Sequence, residues 1–271
     1  MSAQIRLLAV ADAHVAASGS RQGWHNEFAL DGSESRFSEV LASGEARQAD
    51  AALVLGDVLN NPKEKMVPSA LAEPNGLPLK FVRGNEDPPG LVDAIHPAAR
   101  VSVEGQMLGS WLRLAGLDAE SPDGGASGRA AQAPTTSDWG QDTVALLSHF
   151  PLLPRSADFK AAGLLYAGDL LDRSSWAEAL LARSAPTVVL SGHLHARDSA
   201  TAGRVLQLGF GALVEPPHEY SMVELEPGNG YPRIRRRTLD LGGPVPARDP
   251  SLAPRFEEWA FDGDYWQRAD G

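Results

Sequence analysis

Apolar residues in this chain gather in short runs, and each run gives way within two residues to a glycine, an acid or a histidine. The clearest are "IRLLAVAD" (5–12), "AALVLGD" (51–57), "LPLKFVRGNED" (77–87), "TVALLSHFP" (143–151) and "TVVLSGHLHARD" (187–198). Runs of four to eight aliphatic and β-branched residues without alternation predict buried strands. Between them, "SESRFSEVLASGEARQAD" (33–50) sets Phe37, Val40 and Leu41 at helical spacing, with Ser33 or Ser35 as the cap, and "SSWAEALLARS" (174–184) reads as a short helix. Strands alternating with helical patterns predict an α/β core with some parallel pairing. Residues 99–118 read as two consecutive strands, and "RVLQLGF", "YSMVELEP" and "RIRRRTLDL" as a closing antiparallel set.

Two stretches break the pattern. Residues 119–142 are rich in Gly, Ser, Ala and Pro, and the reading is a solvated insertion, a mobile flap or a disordered loop. From about 241 the chain becomes rich in Pro and Asp but carries Phe256, Trp259 and Phe261, so the tail is expected to dock back on the domain. The expected organisation is one domain over 1–240 with a packed tail over 241–271.

Composition narrows the chemistry. The 271 residues are 43% hydrophobic, enough for a large core, and the formal net charge of -11 disfavours a general nucleic-acid binder. There is no cysteine, which excludes disulfides, thiolate nucleophiles and Cys-held metals. Any metal must sit on imidazole, carboxylate and amide ligands, a set that suits Mn, Fe, Zn, Co, Ni or Mg. No run approaches a membrane span and the N-terminus lacks the form of a signal peptide, so a cytoplasmic protein without membrane contact is expected.

The polar residues collect where the apolar runs end. In order these ends carry Asp12-Ala13-His14, Gly56-Asp57, Gly84-Asn85, Ser148-His149 and Gly192-His193-Leu194-His195. Ligands of open α/β sheets bind beyond the carboxyl ends of the strands, so five such ends can converge on one place. Each signal alone is weak: Gly-Asp after a strand is usually a turn, and a lone His after a strand is usually a core residue. Four of the seven histidines in these positions, in one order, make a metal site the better reading.

That order resembles the calcineurin-like metallophosphoesterases over residues 5 to about 225, with all five motifs present and "ADAALVLGDVLNN" and "VVLSGHLH" matching as context. The resemblance implies a four-layer α/β/β/α sandwich with two facing mixed sheets and a dinuclear metal site at the C-terminal strand ends. It implies that Asp12, His14, Asp57 and His195 bind one divalent ion. Asp57, Asn85, His149 and His193 would bind the other, with Asp57 bridging and Mn or Fe favoured. The reaction it implies is hydrolysis of a phosphate ester by a hydroxide held between the metals, with Asp57, Asn85 and His149 in the catalytic set, to which Glu86 is added from this chain's own residues as a candidate acid.

One residue departs from the family's commonest form, in which His follows Gly-Asn. Here Glu86 follows, and it can protonate a leaving group only if burial or Asp87 raises its pKa. A weak acid favours good leaving groups, hence a phosphodiesterase on a small or nucleotide-like substrate. The alternatives are a phosphomonoesterase or nuclease of the same fold, or a non-catalytic metal-binding scaffold. Among other polar residues, Gly168-Asp169 is read as structural, with Asp172 or Ser174 capping the next helix. His25 is read as a surface loop residue beside Trp24, and His218 as structural. His96-Pro97 reads as a turn, Arg83 as a contact to a phosphate oxygen or the ion-pair partner of Glu86 or Asp87, and Arg233, Arg235 and Arg237 as a solvated face. Substrate choice is expected to lie in loops 15–32 and 119–142, and the oligomeric state is not encoded in any readable pattern.

Overall fold

Alternation within the buried strands divides their side chains between three apolar layers, and this builds the molecule. The computed structural model describes residues 4–16, 23–60, 67–72, 76–88, 90–95, 97–121, 126–133, 136–228 and 231–269. His96 lies outside them. The strands are β1 (Ile5–Val10), β2 (Ala51–Leu55), β3 (Leu79–Val82), β4 (Gln106–Leu108), β5 (Leu112–Leu117), β6 (Ala119–Glu120), β7 (Arg129–Ala130) and β8 (Thr143–Ser148). They continue with β9 (Thr187–Ser191), β10 (Asp198–Ala202), β11 (Val205–Gly209), β12 (Glu219–Glu226), β13 (Arg233–Asp240), β14 (Phe256–Phe261) and β15 (Trp266–Arg268).

One sheet has the order β15-β14-β13-β12-β1-β2-β3 and the other β10-β11-β9-β8-β5-β4. In the first, β1, β2 and β3 are parallel; in the second, β5, β8, β9 and β11 are. Leu7 and Ala9 of β1, Leu53 and Leu55 of β2, Ala145 and Leu147 of β8, and Val188 and Leu190 of β9 face one another between the sheets. Their neighbours Leu8, Val10, Ala52 and Val54 point outward, where helix Ser33–Leu41 covers them with Phe37 and Val40. On the other side Val144, Leu146 and Val189 meet Trp176 and Leu180 of helix Arg173–Leu181. The result is the expected α/β/β/α sandwich. Each of these aliphatic or aromatic side chains taken out of water contributes roughly 1.5–3 kcal/mol. Among the described residues no helix is long and apolar enough to cross a membrane.

Several expectations need correction. Val205–Gly209 is not part of the closing antiparallel set: it runs parallel to β9, and its antiparallel partner is β10. The described part of 119–142 is built structure, with β6 paired to β7 and Trp139 fully buried, its Nε1 donating to Val103 O at 2.7 Å. A Gly/Ser-rich composition concealed that anchor. Gly32, not a serine, stands at the N-cap of Ser33–Leu41, and Ser33 Oγ instead accepts from Ala16 N–H. Asp172 precedes Arg173–Leu181, but its carboxylate takes the Ala130 N–H, tying β7 to the helix.

The tail joins the seven-stranded sheet through β14 and β15, with Phe261 and Trp266 buried between the sheets and Phe256 exposed. Arg233 and Arg237 are solvated as expected, while Arg235 pairs with Glu226 and Glu258. The residue between them, Arg236, is fully buried. Its guanidinium crosses to the facing sheet and donates to the Asp198 and Gly209 carbonyls, and it pairs with Glu257 of β14 at 2.7 Å.

Candidate metal centre

Because the parallel strands of both sheets run the same way, their carboxyl ends meet at one edge of the sandwich. The segments leaving β1 and β2 zip together beyond the sheet: Asp12 N–H donates to Gly56 O, His14 N–H to Asp57 O and Val15 N–H to Val58 O. Asp12, His14, Asp57, His193 and His195 all adopt positive φ, between 43° and 68°. That region costs a non-glycine residue on the order of 1–3 kcal/mol, and it persists where the surroundings over-determine it, most often at functional sites.

The seven expected residues converge, and all are buried. Asp12, His14 and His195 place a ligand atom each within 4.8 Å of one another, and so do Asp57, His149 and His193. Asn85 joins the second group, with Oδ1 3.0 Å from His149 Nε2. Asp57 lies between the groups: its Oδ2 is 3.3 Å from His149 Nε2 and 3.9 Å from His14 Nε2.

Three of the four imidazoles are fixed through one nitrogen so that the other faces the cluster. His149 Nδ1 bonds Leu55 O at 2.9 Å, His193 Nε2 bonds Gly168 O at 2.9 Å, and His195 Nδ1 bonds Glu215 at 3.0 Å. That leaves His149 Nε2, His193 Nδ1 and His195 Nε2 as the inward atoms. Both nitrogens of His14 are buried without a partner. A buried donor or acceptor left unpaired is costly, and a cation between His14, Asp12 and His195 removes that cost for the one nitrogen that ligates it. The residues present therefore fit two divalent ions.

The electrostatics agree. Burial pushes His14 down to about 4 and His193 down to about 3. Burial also opposes charge on His149 and His195, but Asp57 and Asp12 beside His149 hold it up at about 9, and Asp12 and Glu215 hold His195 at about 10. Burial alone would raise Asp57, yet His149 and His14 keep it well below the usual carboxylate range. Each carboxylate thus recruits a proton onto a neighbouring imidazole where a metal's charge belongs, and metal uptake must release those protons.

Two glycines make the convergence possible by what they lack. A Cβ at Gly84 would fall 2.2 Å from Asp57 Oδ1 and 2.4 Å from Asp57 N, and one at Gly192 would fall 2.7 Å from Asp12 Oδ2. Gly84→Ala is accordingly expected to displace Asp57 and weaken metal binding at least tenfold while costing about 1–3 kcal/mol of stability. A metal titration and a thermal melt check both, and unchanged affinity would show that Asp57 can move without penalty.

Asp87, buried behind Asn85, accepts from Gly84 N–H and Leu59 N–H and so braces the Asn85 loop. Glu86 is half-buried, its N–H donates to Asp57 Oδ1 at 2.8 Å, and its Oε1 accepts from Asn85 Nδ2 at 3.3 Å. Burial, then Asp57 and Asp87, push its carboxyl up to about 7.

The remaining candidates sort as follows. Arg83 pairs with neither Glu86 nor Asp87; it bonds Glu120 at 2.9 Å, because the strand ends with its side chain directed at the β6 edge. His25 is half-buried, with Nε2 3.0 Å from Leu194 O, so its loop lies against the site and is not free surface. Trp24 and Phe28 wall the first cluster, at ring-centroid distances of 6.4 Å and 5.4 Å from His195. Phe150 walls the second, 4.2 Å from His193. His218 bonds Leu213 O and is structural as expected. Asp169 pairs with Tyr166 and Arg173, structural as expected, although the carbonyl before it orients His193.

Sequence reasoning missed Glu215 and Gly168. A main-chain carbonyl leaves no trace in composition, and an acid before Pro-Pro reads as a loop.

A family model described as calcineurin-like phosphoesterase matches residues 5–197. Among solved structures, a dimetal phosphatase from Danio rerio is similar at TM-score 0.60 and 12% identity, over 87% of this chain and 96% of that one. A predicted phosphoesterase from Streptococcus pneumoniae aligns at TM-score 0.42 and 16% identity, over 96% of this chain and 100% of that one. A phosphoesterase from E. coli aligns at 0.37 and 16%, over 84% and 91%. No curated protein matches the sequence.

Proposed function

The chain belongs to the calcineurin-like phosphoesterase family, and from that premise we propose that it is a dimetal phosphodiesterase acting on a small or nucleotide-like substrate. The observation that carries this is the pair of buried clusters that meet at Asp57. In this reading Asp12, His14 and His195 hold one divalent ion, Asn85, His149 and His193 the other, and Asp57 both, with manganese or iron favoured. Such a pair neutralises phosphoryl oxygens and supplies an activated water near neutral pH.

The protein's own part is positioning and proton traffic. The carbonyls of Leu55 and Gly168 hold His149 and His193 in one tautomer each, so neither ring turns when ions enter or leave. Asp87 keeps the Asn85 loop in place against Asp57. Glu86, half-buried beside Asn85 with a carboxyl raised toward neutrality, is the group we assign to hand a proton to a leaving oxygen.

Two observations favour a diester over a monoester. A monoester dianion gains most from a cationic side chain beside the metals, and Arg83, adjacent to the ligand loop, is committed to Glu120. An acid as weak as Glu86 also suits substrates whose leaving group needs little help. The net charge of -11 favours a small substrate over a nucleic acid.

The test compares bis(p-nitrophenyl) phosphate with p-nitrophenyl phosphate, using manganese-loaded protein. Faster turnover of the diester is expected. Faster monoester turnover would overturn the diester assignment, and no turnover with any divalent metal would leave the non-catalytic scaffold as the reading to pursue. For Glu86 the sign follows from its role: a proton donor is lost as pH rises through its pKa. Activity on poor leaving groups should therefore fall above a limb near or below pH 7, since bound cations favour the ionised carboxylate. Glu86→Gln should abolish that limb, and a profile identical to wild type would remove Glu86 from proton transfer.

A further inference from the structure

Glu215 is buried directly behind His195, which it bonds at Nδ1. Its carboxylate gathers four donors from two places. Oε1 accepts from His195 Nδ1 at 3.0 Å, from Trp24 N–H at 3.1 Å and from His25 N–H at 3.2 Å; Oε2 accepts from Asn26 N–H at 2.9 Å. Three consecutive amides of one loop and one imidazole of the centre thus share a single anion. Of the three imidazoles fixed through one nitrogen, only His195 has a carboxylate as its partner.

The loop it holds is not incidental. Trp24 packs against the buried cluster of Phe159, Ala167, Leu194 and Ala196, and Phe28 lies against both His14 and His195. This loop forms the wall of the first cluster. Glu215 is set by the backbone around it: the Val214 N–H donates to Asp12 O, the Ala29 N–H donates to Val214 O, and the His218 N–H donates to Glu215 O.

We propose that Glu215 is a positioning residue that couples occupancy of the His195 ion to the seating of the Trp24–Asn26 loop over it. With a cation on Nε2 the His195 ring is pinned at both nitrogens, so ion, ring, carboxylate and the three amides form one continuous chain. Conversely, the amides fix the carboxylate that fixes the ring. Coupling of this kind is reciprocal, so loosening either end weakens the other. The proposal rests on the dimetal reading.

The experiment measures ion number by equilibrium dialysis against manganese and amide exchange of the 23–28 segment with and without the ion. In the wild-type chain two ions should bind and the segment's exchange should slow. Glu215→Gln keeps the shape but removes the charge and one acceptor. It should weaken one ion by about 10–100-fold, the same ion that His195→Ala loses, and leave the segment's exchange insensitive to metal. Asn26→Ala approaches from the other end: it removes the bonds between the Asn26 side chain and Arg248 without touching Glu215 or His195. It should weaken that same ion severalfold, and it decides the matter if Glu215→Gln does not fold. Equal weakening of both ions, or unchanged binding in both variants, overturns the coupling. A wild-type chain that binds no ion overturns the dimetal reading instead.

Discussion

Asp57→Asn should lower metal-dependent hydrolysis of bis(p-nitrophenyl) phosphate by about three orders of magnitude or more while leaving the fold intact. The substitution is nearly isosteric. Its amide oxygen can still accept the Glu86 N–H that now reaches Asp57 Oδ1 at 2.8 Å. What it cannot do is present a second anionic oxygen between His149 and His14, where Oδ2 now lies. Metal ions stabilise the charge of a phosphoryl-transfer transition state by several kcal/mol, and each 1.36 kcal/mol is tenfold in rate. Losing the carboxylate that lies between the two clusters is therefore expected to remove about 10³-fold through the metals alone. Metal analysis should show fewer than two ions per chain, and circular dichroism should match wild type. A variant within tenfold of wild-type rate, carrying both ions, would show that Asp57 does not hold them together.

How much of this could be read from the chain depended on what kind of contact was involved. The strand ends were legible because a buried strand announces itself through unbroken aliphatic residues, and a ligand that follows one is anchored to a sheet. Asp12, His14, Asp57, Asn85, His149, His193 and His195 all sit within a few residues of such an end, so sequence position and spatial position coincide. Glu215 has no such marker. It lies between β11 and β12, and its partners are the amides of residues 24–26, some 190 residues earlier. Gly168 acts through its carbonyl, which every residue possesses. Arg83 misled for a related reason: its neighbours in sequence are acidic, yet its partner Glu120 arrives from a hairpin hidden within a Gly/Ser-rich stretch. The parallel placement of β11 was obscured because short strand patterns carry no direction. The strain at five ligand positions was equally silent, since aspartate and histidine are written the same way at φ near +50° as in a strand.

The largest stability effect should come from a residue that alternation marks as interior but charge marks as exterior. Arg236→Met is expected to destabilise the protein by about 3–5 kcal/mol, lowering the melting midpoint by roughly 10 °C. Burial pushes the Arg236 pKa down and the Glu257 pKa up, so the interior disfavours both charges and only their pairing holds them there. Removing the cation strands Glu257 in the sheet with its charge uncompensated. Adding Glu257→Leu to make the double variant should restore part of the loss but not all of it. The carbonyls of Asp198 and Gly209 still lose their donor, at about 1–3 kcal/mol for a buried acceptor left unpaired. Because those carbonyls belong to the opposite sheet, the residual deficit measures how far Arg236 clamps the sandwich as opposed to merely neutralising its neighbour. Full recovery in the double variant would reduce its role to charge balance, and a single variant that melts with wild type would remove the clamp altogether. Excess manganese separates this clamp from the catalytic edge. Ions that bind only the folded state add about 2.7 kcal/mol at one hundred times their dissociation constant, and they add it equally to both proteins if the clamp and the centre are independent. The gap in melting midpoint should then persist at saturating metal, whereas a gap that widens with metal would mean that Arg236 also helps to hold His193 and His195 in place.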